Sequence, residues 1–151
     1  GFLIGKHRLE AAYKMGWCCF KAAVAVTLSI SMLTALLGST IMRLLTDNPV
    51  IIHTAVLILF LDIPLEFGRP VNILAGFMLR SASDAGYVFR GGVAIMWTVS
   101  VGLSYLFGIT LGWGLAGMWA AFILDENLLA LLLGRRWRGR KWALKFRGRV
   151  A

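Results

Sequence analysis

Charge is scarce in this chain: 15% of its 151 residues are Asp, Glu, Lys or Arg, where a soluble domain carries about a quarter. Acidic residues are scarcer still, with 7 Asp and Glu against 16 Lys and Arg, a net charge of +9. The 2 cysteines, Cys18 and Cys19, are adjacent. Neighbours in sequence can build neither a disulfide framework nor a zinc site with its usual ligand spacing. His-Glu-x-x-His, Gly-x-Ser-x-Gly and phosphate-loop patterns are all lacking, and no nucleophile–base pair stands out. An enzyme is therefore not expected. No N-terminal signal peptide is legible, because the apolar run before Lys6 is too short. No initiator Met precedes Gly1, so the reading expects further sequence upstream.

What is abundant is apolar: 59% of residues are hydrophobic and the mean hydropathy is +0.77. The fold class this implies is all-α, a polytopic helical membrane protein. Four apolar segments reach the roughly 20 residues that a span needs, at about 22–42, 50–79, 91–109 and 115–133, followed by a basic tail over 134–151. Thr46-Asp47-Asn48-Pro49, Arg80–Gly86 and Gly108–Gly114 supply the turn signals between them. Asp47 or Asn48, with Pro49 next, suits a helix cap and first turn. Asp84 reads as a turn or cap residue.

The positive charge is not spread evenly. Fourteen of the 16 basic residues fall in three regions that a four-span topology brings to one side: the N-terminal flank, the Arg80–Arg90 loop and the tail. Arg43 falls on the other side and Arg69 inside a span. Cytoplasmic loops collect Lys and Arg, so both ends of the segment are expected in the cytoplasm, in the cell's inner or plasma membrane. The same asymmetry accounts for the basic balance without nucleic acid. In the tail, Trp137, Trp142, Leu144 and Phe146 interleave with the cations. Such a segment serves as a topological anchor or lies against anionic membrane lipid with its rings inserted.

The second span carries the chemistry. Asp62-Ile-Pro-Leu-Glu-Phe-Gly-Arg-Pro70 puts two carboxylates and a guanidinium where a bilayer is most apolar. Each costs roughly 2.5–3.5 kcal/mol on insertion scales. Asp62 and Glu66 share a helix face, with Arg69 and Asn72 continuing it at intervals of three. Pro64 and Pro70 are expected to kink or break the helix, and broken helices are where transporters bind coupling ions. A self-neutralising Glu66–Arg69 pair is the plainer reading, but it leaves Asp62 over. Asp125 and Glu126 interrupt the fourth span, and pairing with the tail arginines is one way to accommodate them. The residues leave both H⁺ and Na⁺ open as the bound ion. No resident cofactor is expected.

Five stretches together resemble the multidrug and toxic compound extrusion (MATE) transporters. Leu79-Arg-Ser-Ala-Ser-Asp84 is similar to the family's LRxxGD loop, with Ser83 at the glycine position. Glu66-Phe-Gly-Arg-Pro-Val-Asn72 is similar to EPGRxxN, with Phe67 at the proline. Gly112–Ala121 resembles GLGLxGxWxA, Asp125-Glu-Asn-Leu128 resembles DEWLR, and Gly5–Ala12 resembles GAGRxEEA. The resemblance implies a twelve-helix antiporter exporting drugs, organic cations and other small amphipathic substrates against H⁺ or Na⁺. This chain would supply helices nine to twelve, with the N-terminal helices of the same transporter as partners. It also implies that Glu66 is the coupling acid, and Arg69 and Asn72 its neighbours. A truncated, non-transporting membrane protein or assembly partner, and a lipid-linked oligosaccharide flippase of the same superfamily, are the alternatives.

Overall fold

The computed structural model describes residues 8–143. Gly5, Lys6 and His7 of the fifth motif and tail residues 144–151 lie outside them. Among the described residues four helices are long and apolar enough to cross a membrane: α1 (Leu9–Arg43), α2 (Pro49–Ser81), α3 (Ala85–Thr110) and α4 (Gly114–Arg138). No strand occurs among the described residues. The chain is a polytopic helical membrane protein, as its hydropathy predicts. The helices run past the apolar segments that announce them, α1 beginning at Leu9 and α4 continuing to Arg138. Helical hydrogen bonding does not stop where hydropathy does.

Each turn has a local cause. Asn48, not Asp47, caps α2: its Oδ1 accepts from the Val50 amide at 3.0 Å and Pro49 takes the first helical position, where its lack of an N–H is harmless. The α2–α3 turn closes with two bonds, from the Asp84 amide to the Leu79 carbonyl at 2.9 Å and from the Ser83 amide to Arg80 at 3.1 Å. That is the Schellman arrangement, and it requires a left-handed residue between them. Ser83 fills the place with φ +64°. In the α3–α4 turn, Gly112 and Gly114 take φ +71° and +58°, angles that only glycine adopts without cost. Residues Met96–Val101 and Tyr105–Thr110 of α3 are wound as π-helix.

α2 is central, packed between α1 and α4, and α3 lies against α4. The core sits at the arginine-rich end, where Phe20, Leu79, Leu133, Trp137 and Trp142 are buried. Trp142 stacks on Trp137 with ring centroids 4.5 Å apart, and its indole N–H donates to the Trp137 carbonyl at 3.1 Å. These two tryptophans are therefore not rings inserted in a headgroup layer. They close the bundle, because two flat rings bury more apolar surface against each other and Phe20 than either could alone.

Two acids and two arginines pair at the same end. Asp84 starts α3, but its carboxylate makes no capping bond. It is fully buried and accepts from Arg136 Nε at 2.7 Å, while that guanidinium lies over Tyr87. Glu10 of α1 accepts from Arg140, which lies over Tyr13. Arg136 and Arg140 therefore pair with Asp84 and Glu10, and among the described residues no tail arginine pairs with Asp125 or Glu126.

Candidate functional site: a carboxylate layer at mid-helix

α2 runs unbroken through both internal prolines, which corrects the expectation of a broken helix. Pro70 has no N–H, so the carbonyl of Glu66, four residues back, loses its helical donor. Thr27 of α1 replaces it: its hydroxyl donates to the Glu66 carbonyl at 3.2 Å. A neighbouring helix has thus satisfied the group that proline frees, the usual condition for proline inside a membrane helix.

Glu66 lies one residue past the midpoint of α2 and Glu126 at the midpoint of α4. Arg69 Nη1 donates to Glu66 Oε1 at 2.5 Å. Its Nε stands 4.0 Å from Glu126 Oε1. Asn72 Nδ2 donates to Glu126 Oε2 at 2.7 Å. Glu66, Arg69, Asn72 and Glu126 are therefore one network across two helices. Glu66 is 13% exposed and Glu126 23%, so both carboxylates are largely withdrawn into the protein.

Gly68 makes this approach possible. A Cβ there would stand 2.8 Å from the Asn127 Cα and 2.9 Å from its backbone nitrogen. Asn127 then bridges the helices, its Nδ2 donating to the Pro64 carbonyl at 3.0 Å and to Ile123 at 2.8 Å.

The other two predicted acids stand apart from the network. Asp62, a turn before Glu66, is half-buried and forms no hydrogen bond or ion pair among the described residues. Asp125 faces a cavity of about 750 Å³ between α2, α3 and α4, whose wall also includes Asn72, Phe77, Arg80 and Phe89. Its Oδ1 is buried without a hydrogen-bond partner among the described residues. No three His, Cys, Asp or Glu side chains among the described residues come close enough together to hold a metal ion.

Thr27 and Asn127 have no prominence in the sequence reading. The signal for Thr27 is indirect, one of several hydroxyls in an apolar helix to be matched with a carbonyl freed four residues before a proline. Asn127 could have been found by its place beside Glu126 on a helix that must approach Gly68.

Two acids at the midpoints of membrane-spanning helices are thus held by one guanidinium and one amide, at a depth where ionisable groups are costly and rare. Comparison with known proteins finds relatives. The chain is 38% identical over 148 residues to the uncharacterized transporter YisQ of Bacillus subtilis, covering 96% of this chain and 32% of the relative. It is 25% identical over 141 residues to the multidrug resistance protein NorM of Vibrio vulnificus, covering 90% and 31%. To the probable multidrug resistance protein NorM of Xylella fastidiosa it is 28% identical over 140 residues, covering 91% and 29%. The chain spans about a third of the length of these relatives. No family model matches it, and no solved structure matches it significantly. The chain is a homologue of the multidrug and toxic compound extrusion transporters, the family that its five ordered motifs resemble.

Proposed function

We propose that this chain forms part of a secondary transporter that exports drugs or organic cations in exchange for H⁺ or Na⁺. The single observation that carries the reading is the charge imbalance of the mid-helix layer. Of the four acids, Glu66 and Glu126 share the Arg69 guanidinium, and Asp62 and Asp125 have no ion-pair partner among the described residues. At about 3 kcal/mol for each unmatched charge at mid-bilayer, three ionised carboxylates would cost roughly 9 kcal/mol. That rivals the whole stability of an ordinary domain, about 5–15 kcal/mol. Uptake of protons or cations by the layer would remove that cost. A layer that takes up cations from one side and yields them on the other can bias a bundle between two states. An amphipathic cation competing for the same carboxylates would then be driven outward. The relatives' names supply the drug-export part of the reading, and their greater length supplies the remaining helices of the pathway.

The test is efflux of a fluorescent organic cation by cells expressing the intact transporter, with Glu66→Gln and Asp125→Asn variants. Loss of ion-driven efflux in Glu66→Gln, with normal membrane levels, is expected. Unchanged efflux would remove Glu66 from the coupling site. In proteoliposomes, imposing a pH gradient or a Na⁺ gradient separately assigns the ion.

A further inference from the structure

A second groove, of about 440 Å³, runs between α1, α2 and α4 on the side away from the Asp125 cavity. Its walls are Trp17, Phe67, Val71 and Leu131, and Arg135 and Arg138 stand at its arginine-rich end. The two arginines differ from their neighbours. Arg136 pairs with Asp84 and Arg140 with Glu10, whereas Arg135 and Arg138 have no acidic partner among the described residues. Lys14 and Lys21 lie three before and four after Trp17 on α1 and share its face. They too are exposed and without an acidic partner among the described residues. Two cations without an acidic partner among the described residues, Arg135 and Arg138, therefore stand at one end of a mostly apolar groove, with Lys14 and Lys21 on the face of α1 that carries Trp17.

The dimensions select the occupant. From Asn127 at the mid-helix level to Arg138 the groove follows α4 for roughly 16 Å at 1.5 Å per residue. One leaflet of hydrocarbon is about 15 Å, half of the ~30 Å core. A chain lying in the groove with its polar end at the arginines would thus reach from the headgroup level to the bilayer centre. Guanidinium groups bind phosphate oxygens through directed pairs of hydrogen bonds, and basic pockets between spanning helices suit anionic headgroups. We infer that this groove is a specific site for one anionic phospholipid. Its phosphodiester lies between Arg135 and Arg138, and an acyl chain runs along Val71 and Leu131 towards Phe67. By the distribution of positive charge, the leaflet is the cytoplasmic one. The inference needs the helices to span a bilayer and the groove to face lipid, and it does not depend on the transport reading.

The experiment is native mass spectrometry of the intact, delipidated protein titrated with phosphatidylglycerol or phosphatidylcholine. Phosphatidylglycerol is expected to bind at least tenfold tighter, in a stoichiometry of about one. The double variant R135Q/R138Q should weaken it about 30-fold, from about 1 kcal/mol per cation. R43Q, at the opposite end, should leave it unchanged. Both arginines are exposed and free of structural ion pairs, so the variant should fold. Equal binding of the two lipids, or unchanged binding in the double variant, overturns the proposal. A benzophenone side chain at Leu131 provides an independent reading in membranes. Cross-linking to phospholipid supports the site, and cross-linking to a protein segment instead shows that a helix fills the groove and overturns it.

Discussion

The pairing of Thr27 with the carbonyl freed by Pro70 permits a test in which one change should partly cancel the harm of another. Thr27→Val keeps shape and volume and removes only the hydroxyl that donates to the Glu66 carbonyl at 3.2 Å. The carbonyl is then left with neither a helical donor nor a side-chain donor. An unsatisfied, partly buried group costs about 1–3 kcal/mol. Interhelical bonds in membranes average nearer 0.6 and reach about 1.7 kcal/mol. A loss of about 1–2 kcal/mol is therefore expected. Pro70→Ala restores an N–H at the position that reaches the Glu66 carbonyl, so in its presence the hydroxyl is no longer needed. The double variant T27V/P70A should thus be more stable than the sum of the single effects by about 1 kcal/mol. The assay is reversible unfolding of the purified protein in mixed micelles of sodium dodecyl sulfate, comparing all four members of the cycle. Strict additivity would refute the argument that Thr27 serves the carbonyl that the proline frees. It would leave the hydroxyl as an incidental contact.

Three further outcomes are expected. Ser83→Gly should raise stability by about 1 kcal/mol, because the left-handed conformation at φ +64° strains serine and not glycine; the melting temperature in detergent reads this. Arg136→Met takes the guanidinium from a fully buried carboxylate and should destabilise by about 3–5 kcal/mol, with part of the loss recovered in Asp84→Asn/Arg136→Met. Gly68→Val should push α2 from α4, since even a Cβ there meets the Asn127 backbone at 2.8 Å. The expected readout is a widened distance between spin labels at Leu57 and Leu124, together with lost efflux; an unchanged distance would show that the helices are not in register at Gly68.

Much of the site was legible because ionisable residues in an apolar run stand out. Glu66 and Arg69 are three apart on one helix, so their pairing needs no tertiary information. The partner of Glu126 is a different matter. Its sequence position suggests the tail arginines, and the packing of α2 on α4 gives it Asn72 and Arg69 instead. The prolines mislead for the same reason. Read alone, Pro64 and Pro70 remove donors and suggest a break, yet α2 stays whole because α1 supplies a hydroxyl from far away in sequence. The tail tryptophans suit a membrane interface by composition, and the bundle instead uses Trp137 and Trp142 as the lid of its core.

Composition and spacing by themselves determined that the chain spans a membrane, how many times, where its turns fall and which helix carries the ionisable cluster. These depend on transfer free energies and helix periodicity, which act within a segment. Tertiary structure alone decided which acids share a cation, which carbonyl each hydroxyl satisfies and which arginines remain unmatched at the mouth of a groove. Those outcomes depend on the separation of side chains on different helices to within an ångström or so, and that separation is set by where a glycine such as Gly68 lets two backbones meet.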